Sequence, residues 1–163
     1  MKRLARILPA LAAMLALVSC SDAFGPIFSI KVEIRGPNRL IGQWVEAGRT
    51  EGVPSGYRCD PRLTLASRGG SNDDWRYQYV VWNDMVIEYF DMDGRPIGSP
   101  QIYGGKDLDR LLGDLRVNSY RETDRIPVVA DRLPFRWRMT LSYRHPGSNK
   151  NGIATFSSLC TDV

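Results

Sequence analysis

The chain has 163 residues, 43% hydrophobic and a quarter charged, with 22 Lys and Arg against 18 Asp and Glu for a formal net charge of +4. That length builds one domain with a real core and excludes two comfortable ones. A single histidine and three cysteines leave little from which to assemble a zinc site.

The first twenty residues are the most telling. Lys2, Arg3 and Arg6 precede an apolar run over residues 7–18, too short for the roughly 20 residues that span a bilayer as a helix. A basic start, a short apolar core and a small-residue exit describe a secretory signal. The ending Leu17-Val18-Ser19-Cys20 resembles the lipobox of bacterial lipoproteins. That resemblance implies cleavage before Cys20, a diacylglycerol on its sulfur and an acylated amine. Each buried CH₂ adds about 0.8 kcal/mol, so three acyl chains would make the anchor effectively permanent. By resemblance to Gram-negative lipoproteins, Ser21 rather than Asp after the cysteine implies the outer membrane, with the domain facing the periplasm.

On this reading residues 1–19 are the signal, 20–26 a lipidated tether and 27–163 one domain. Losing Lys2, Arg3 and Arg6 leaves 19 basic against 18 acidic residues, a net charge of +1. The basic character therefore belongs largely to the discarded segment, and a nucleic-acid partner is not expected. With Cys20 lipidated, Cys59 and Cys160 remain, and such a pair oxidises outside the cytoplasm. The closed loop of about 100 residues is worth roughly 4.7 kcal/mol in the chain-entropy model.

Along the domain the hydrophobic period is two. Phe28, Ile30, Val32 and Ile34 alternate with Ser29, Lys31, Glu33 and Arg35, predicting a half-buried strand. Leu63 and Leu65 share a parity with Cys59, which predicts an inward cysteine. Gly69-Gly70-Ser71-Asn72-Asp73-Asp74 reads as a solvated loop, not a phosphate cradle, because no helix follows it. Residues 75–82 are rich in aromatic and β-branched side chains and predict a central strand. Asn83-Asp84 predicts a tight hairpin turn before a strand over 85–92, and Asp93-Gly94 a second turn before 97–103. Leu108, Leu111 and Leu112 predict one short helix near 106–112. Phe135, Trp137, Met139, Leu141 and Tyr143 alternate most cleanly, opposite Arg136, Arg138, Thr140, Ser142 and Arg144. A polar loop over 145–152 then precedes a last strand over 153–160.

Seven or eight strands with frequent turns predict an all-β fold, an antiparallel β-sandwich of immunoglobulin-like or fibronectin-like architecture. Cys160 in the final strand departs from the antibody pattern, which pairs the second and sixth strands. Catalytic patterns are thin. His145 precedes Pro146 and reads as a loop histidine, with no nucleophile-elbow motif to serve. Glu88, Asp91 and Asp93 could support glycosidase-type chemistry only by facing a shared cleft. Asp91-Met92-Asp93-Gly94 begins like a calcium loop, but Arg95 stands at its fifth position and no glutamate closes it. No metal or cofactor is expected.

Two features predict a binding surface. Arg136, Arg138 and Arg144 share a strand face and could grip acidic headgroups, glycan carboxylates or an acidic protein patch. The aromatic set Trp75, Tyr77, Tyr79, Trp82, Tyr89 and Phe90 could line a sugar or peptide site, or fill the core. The expected protein is a lipid-anchored, non-enzymatic binding module of the envelope. An envelope hydrolase using carboxylates and a structural assembly factor are the alternatives.

Overall fold

Strict alternation makes β11 (Phe135–His145) the spine of the domain: every second residue from Phe135 to His145 is buried. A computed structural model describes residues 30–46, 55–69, 79–145 and 150–162. The expected signal and tether with Cys20, Phe28, and the expected loop and strand residues over 70–78, Trp75 and Tyr77 among them, lie outside these residues.

On one side β11 pairs antiparallel with β12 (Lys150–Thr161) along its whole length, and on the other with β6 (Tyr79–Phe90). The short β2 (Arg39–Ile41) and β7 (Gln101–Gly104) complete the order β2-β12-β11-β6-β7, with β8 (Leu115–Arg116) beside β6. The β2–β12 pair is parallel. Two three-stranded sheets form the second layer. One joins β1 (Lys31–Arg35), β5 (Thr64–Arg68) and β9 (Tyr120–Glu122); the other joins β10 (Val128–Ala130), β4 (Gly56–Cys59) and β3 (Gln43–Val45). The architecture is the predicted all-β sandwich, with one short helix.

Between the layers Trp137, Phe135, Met139, Leu141, Met85 and Ile87 pack against Leu63, Leu65, Val128 and Ile126, all fully buried. The Cys59–Cys160 disulfide crosses this core with a Cα separation of 6.3 Å, joining β4 of one layer to β12 of the other. Both cysteines are buried, Cys59 as its parity with Leu63 and Leu65 implies.

The predicted turn at Asn83-Asp84 is absent. Residues 79–90 form one strand, and its register against β11 shifts between Ser142 and Tyr143. The extra residue is a β-bulge, and it changes which parity faces inward. Val80 and Trp82 are buried before it, Met85, Ile87 and Tyr89 after it. Asn83 and Asp84 thus stand side by side in solvent without breaking the strand. The Asp93-Gly94 turn does form, with Gly94 at φ +82° and the Asp91 carboxylate accepting the Asp93 and Arg95 amides.

Helix α1 (Gly105–Leu112) turns Leu108 and Leu112 into the core. Two turns would be marginal alone. The Trp82 indole N–H anchors the helix by donating to the Gly113 carbonyl at 2.7 Å. His145 is not a loop residue: it is 2% exposed, because it falls on the inward parity of β11 and pairs with Lys150. The strand after it starts at Lys150, three residues earlier than the alternation suggested.

Tyr143 ties the layers together with its hydroxyl. The Val32 N–H donates to it at 3.0 Å, and it donates to the Ile30 carbonyl at 3.1 Å. Its cross-strand partner is Gly152, where any Cβ would collide with the ring. Tyr143→Phe keeps the ring but strands a buried amide and carbonyl. It should lower the unfolding free energy by about 1–3 kcal/mol in urea titration.

Candidate functional site

The outer face of the six-stranded sheet is the surface on which the arginine stripe lies. Since β11 is central and its inward row is core, Arg136, Arg138 and Arg144 all point outward and are exposed. The structure does not make them equivalent. Arg138 donates twice to one Glu88 carboxylate oxygen, at 3.0 and 2.8 Å, and lies over the Phe90 ring at 5.2 Å. Glu88 stands opposite it on β6. Among the described residues Arg136 and Arg144 have no carboxylate within salt-bridge distance, so their charge is available to a partner.

Their surroundings are β-branched and weakly polar. Thr140 faces Thr155 on one side and Val86 on the other, and Val86 faces Ile102. Ile102 and Ile153 are 71% and 70% exposed. At the β2 edge Arg39 stands beside Leu159, which faces Arg136. The result is a face with a weakly polar centre, Arg136 towards one end and Arg144 towards the other, and with Asp84 exposed opposite Ser142. Such a face suits an anionic layer or an acidic partner better than a small molecule, which needs concavity.

The carboxylates considered for hydrolysis do not converge. Glu88 is engaged by Arg138 on the open face, and Asp91 holds the turn beyond the end of β6. Asp93 is exposed in that turn. Of the aromatic set, Trp82 and Tyr89 are core, Phe90 lies half-buried under Arg138, and Tyr79 carries Arg116 over its ring at 5.5 Å. The bulge divides these roles; strand parity without it would put Trp82 and Tyr89 on opposite faces.

A second charged cluster went unnoticed in the sequence. Glu33 on β1 pairs with Lys31 and Arg35, and the Arg35 hydrogen bond, with Arg68 nearby, holds its carboxyl below the ordinary range. Only the β1–β5 pairing, which sets Lys31 opposite Arg68, brings Arg68 into it. These groups are solvent-exposed, and such pairs add little stability.

Among the described residues no helix is long and apolar enough to cross a membrane. The sequence matches no protein-family model and no curated protein.

Proposed function

We propose that the chain is a lipid-anchored envelope protein facing the periplasm, a non-enzymatic module that binds through the open face of its six-stranded sheet. One observation carries the reading: Arg136 and Arg144 border an exposed face bearing Ile102 and Ile153, with charge not spent on neighbouring carboxylates. Guanidinium groups in this setting answer anionic groups, and an anionic headgroup layer supplies many of them. The inter-layer disulfide supports an oxidising compartment. The lipobox-like Leu17-Val18-Ser19-Cys20 supports the anchor. A tether of residues 20–26 spans at most about 25 Å when extended. That brings the domain close to the membrane, and direct attraction then acts over a Debye length of about 8 Å.

The test has two readouts. Intact-mass measurement of the purified protein should give a chain beginning at Cys20 with diacylglycerol and acyl mass added; an unmodified Cys20 sinks the anchor. A form starting at Ser21 should bind anionic liposomes more tightly than neutral ones. Each arginine near such a surface is worth about 1 kcal/mol. Arg136→Ser with Arg144→Ser should therefore weaken binding about tenfold or more. Arg138→Ser should do less, because Glu88 already engages Arg138. Equal binding to both liposomes would reduce the face to a solvated surface.

A further inference from the structure

The β1–β5–β9 sheet belongs to the layer opposite the arginine stripe, and its register fixes what its outer face presents. Val32, Leu65 and Ser67 turn inward and are buried. The alternate set, Lys31, Glu33 and Arg35 with Thr64, Ala66 and Arg68, therefore faces out. Ala66 stands between Glu33 on β1 and Tyr120 on β9, each directly opposite it in the ladder.

Two features of this face are unfavourable as they stand. Tyr120 is 80% exposed, more than any other large hydrophobic side chain among the described residues, and Ala66 beside it is too small to cover the ring. Lys31 and Arg68 stand directly opposite each other, and like charges so placed destabilise a strand pair. Glu33 relieves this only in part, because it pairs with Lys31 and Arg35. Among the described residues Arg68 has no carboxylate within salt-bridge distance. An anion held at this corner would remove the repulsion.

The two features border one shallow depression of about 480 Å³, lined by Arg35, Thr64, Ala66, Arg68, Asn118 and Tyr120 among others. That volume lies in the range of small-ligand sites. Its rim is polar. Asn118 spends its side-chain oxygen on the Gly69 amide at 3.0 Å, which leaves its two N–H groups as donors. At the Thr64 end Glu33 holds Arg35 at 3.2 Å and Glu122 stands opposite Thr64, so charge there is balanced. The cationic excess is at the Arg68 end. Arg68 lies two residues beyond Ala66, which makes it the diagonal neighbour of Tyr120. Such positions are roughly 7–8 Å apart, a gap that one pyranose ring with its carboxylate bridges.

We propose that this depression binds a saccharide bearing a carboxylate, its ring stacked on Tyr120 and its carboxylate held by Arg68 with Lys31 beside it. A guanidinium meets a carboxylate through two parallel N–H bonds, which fixes orientation as well as charge. The C–H face of a pyranose suits the apolar body of an exposed tyrosine, and its hydroxyls suit the Asn118 donors and the Thr64 hydroxyl. A peptide ending in a free carboxylate fits less well. Only Ala66 and Tyr120 of the lining are apolar, so no pocket receives a side chain. The site is independent of the arginine face, which lies on the other layer.

The test is an array of oligosaccharides carrying glucuronate, galacturonate, muramate or sialate, beside neutral ones of equal length, probed with the full chain in detergent. Amide-shift mapping with the best acidic oligosaccharide should then concentrate shifts at residues 64–68 and 118–120. Arg68→Gln should weaken binding about tenfold or more, the loss of a charged hydrogen-bonded pair. Its unligated stability should be unchanged or higher, because Lys31 loses a like-charged neighbour, so weaker binding is not unfolding. Tyr120→Ala should weaken binding about fivefold, and Tyr120→Phe, which keeps the ring, should bind like wild type. Arg136→Ser with Arg144→Ser should leave binding unchanged, which separates this site from the arginine face. The proposal is overturned if no acidic oligosaccharide binds, if neutral ones bind equally well, or if shifts fall elsewhere. It is equally overturned if Arg68→Gln and Tyr120→Ala both bind like wild type, or if acetyl-trialanine shifts these residues and no acidic oligosaccharide does.

Discussion

Trp137→Ala should lower the unfolding free energy by about 3–5 kcal/mol, the range for truncating a large buried aromatic. Trp137 is fully buried at the middle of the two-layer core, with its ring 5.5 Å from that of Phe156. It lies in a β11 row held by full-length neighbours on both sides, so collapse around the vacated volume would have to distort two ladders. A control separates packing from polarity. The indole N–H has no hydrogen-bond partner among the described residues, so Trp137→Phe forfeits volume without forfeiting a hydrogen bond. It should cost clearly less than Trp137→Ala in urea denaturation. A loss under about 1 kcal/mol for Trp137→Ala would mean that the site collapses freely, contrary to close packing.

Replacing both Cys59 and Cys160 by serine should cost about 2–5 kcal/mol, the second large effect. The bond joins positions 101 residues apart and links the two layers directly. Its removal restores to the unfolded chain the freedom of a loop enclosing most of the domain. The same loss should appear when the wild-type protein is unfolded in urea with a strong reductant. Thiol titration of the unreduced, unfolded protein should find neither Cys59 nor Cys160 reactive; two reactive thiols would contradict the bond. The double variant should keep the β11 and β12 pairing, which rests on eleven residues of continuous register rather than on the cross-link.

These two expectations come from features readable in the chain itself. Burial of Trp137 follows from alternation, because successive residues of a strand point to opposite faces whatever lies beside it. The disulfide follows from pairing the two cysteines that remain once the expected lipidation sets Cys20 aside. The helix at residues 105–112 follows likewise, since three leucines at helical spacing leave one way to hide them. Exposure of Arg136 and Arg144 is the same alternation seen from its other side.

Other features escape local reading for a definite reason. Asn83-Asp84 has the composition of a turn, and a turn is what the dipeptide favours alone. Strand β11 overrides it by continuing past those residues, which turns a predicted reversal into a bulge. His145 resembled a loop residue because Pro146 follows it, yet the inward row of β11 extends one step further and buries it. Charge availability is also non-local: Arg138 is engaged because Glu88, fifty residues earlier, lands opposite it. Tyr143 belongs to the inward row, and only the approach of β1 gives its hydroxyl the backbone partners Val32 and Ile30. The sequence by itself determined the all-β class, the face each β11 side chain takes and the cysteine pair, because parity and pair arithmetic are properties of the chain. Only the tertiary structure decided the bulge, the unequal arginines and the backbone partners of the Tyr143 hydroxyl, because each depends on which strand lies alongside and in what register.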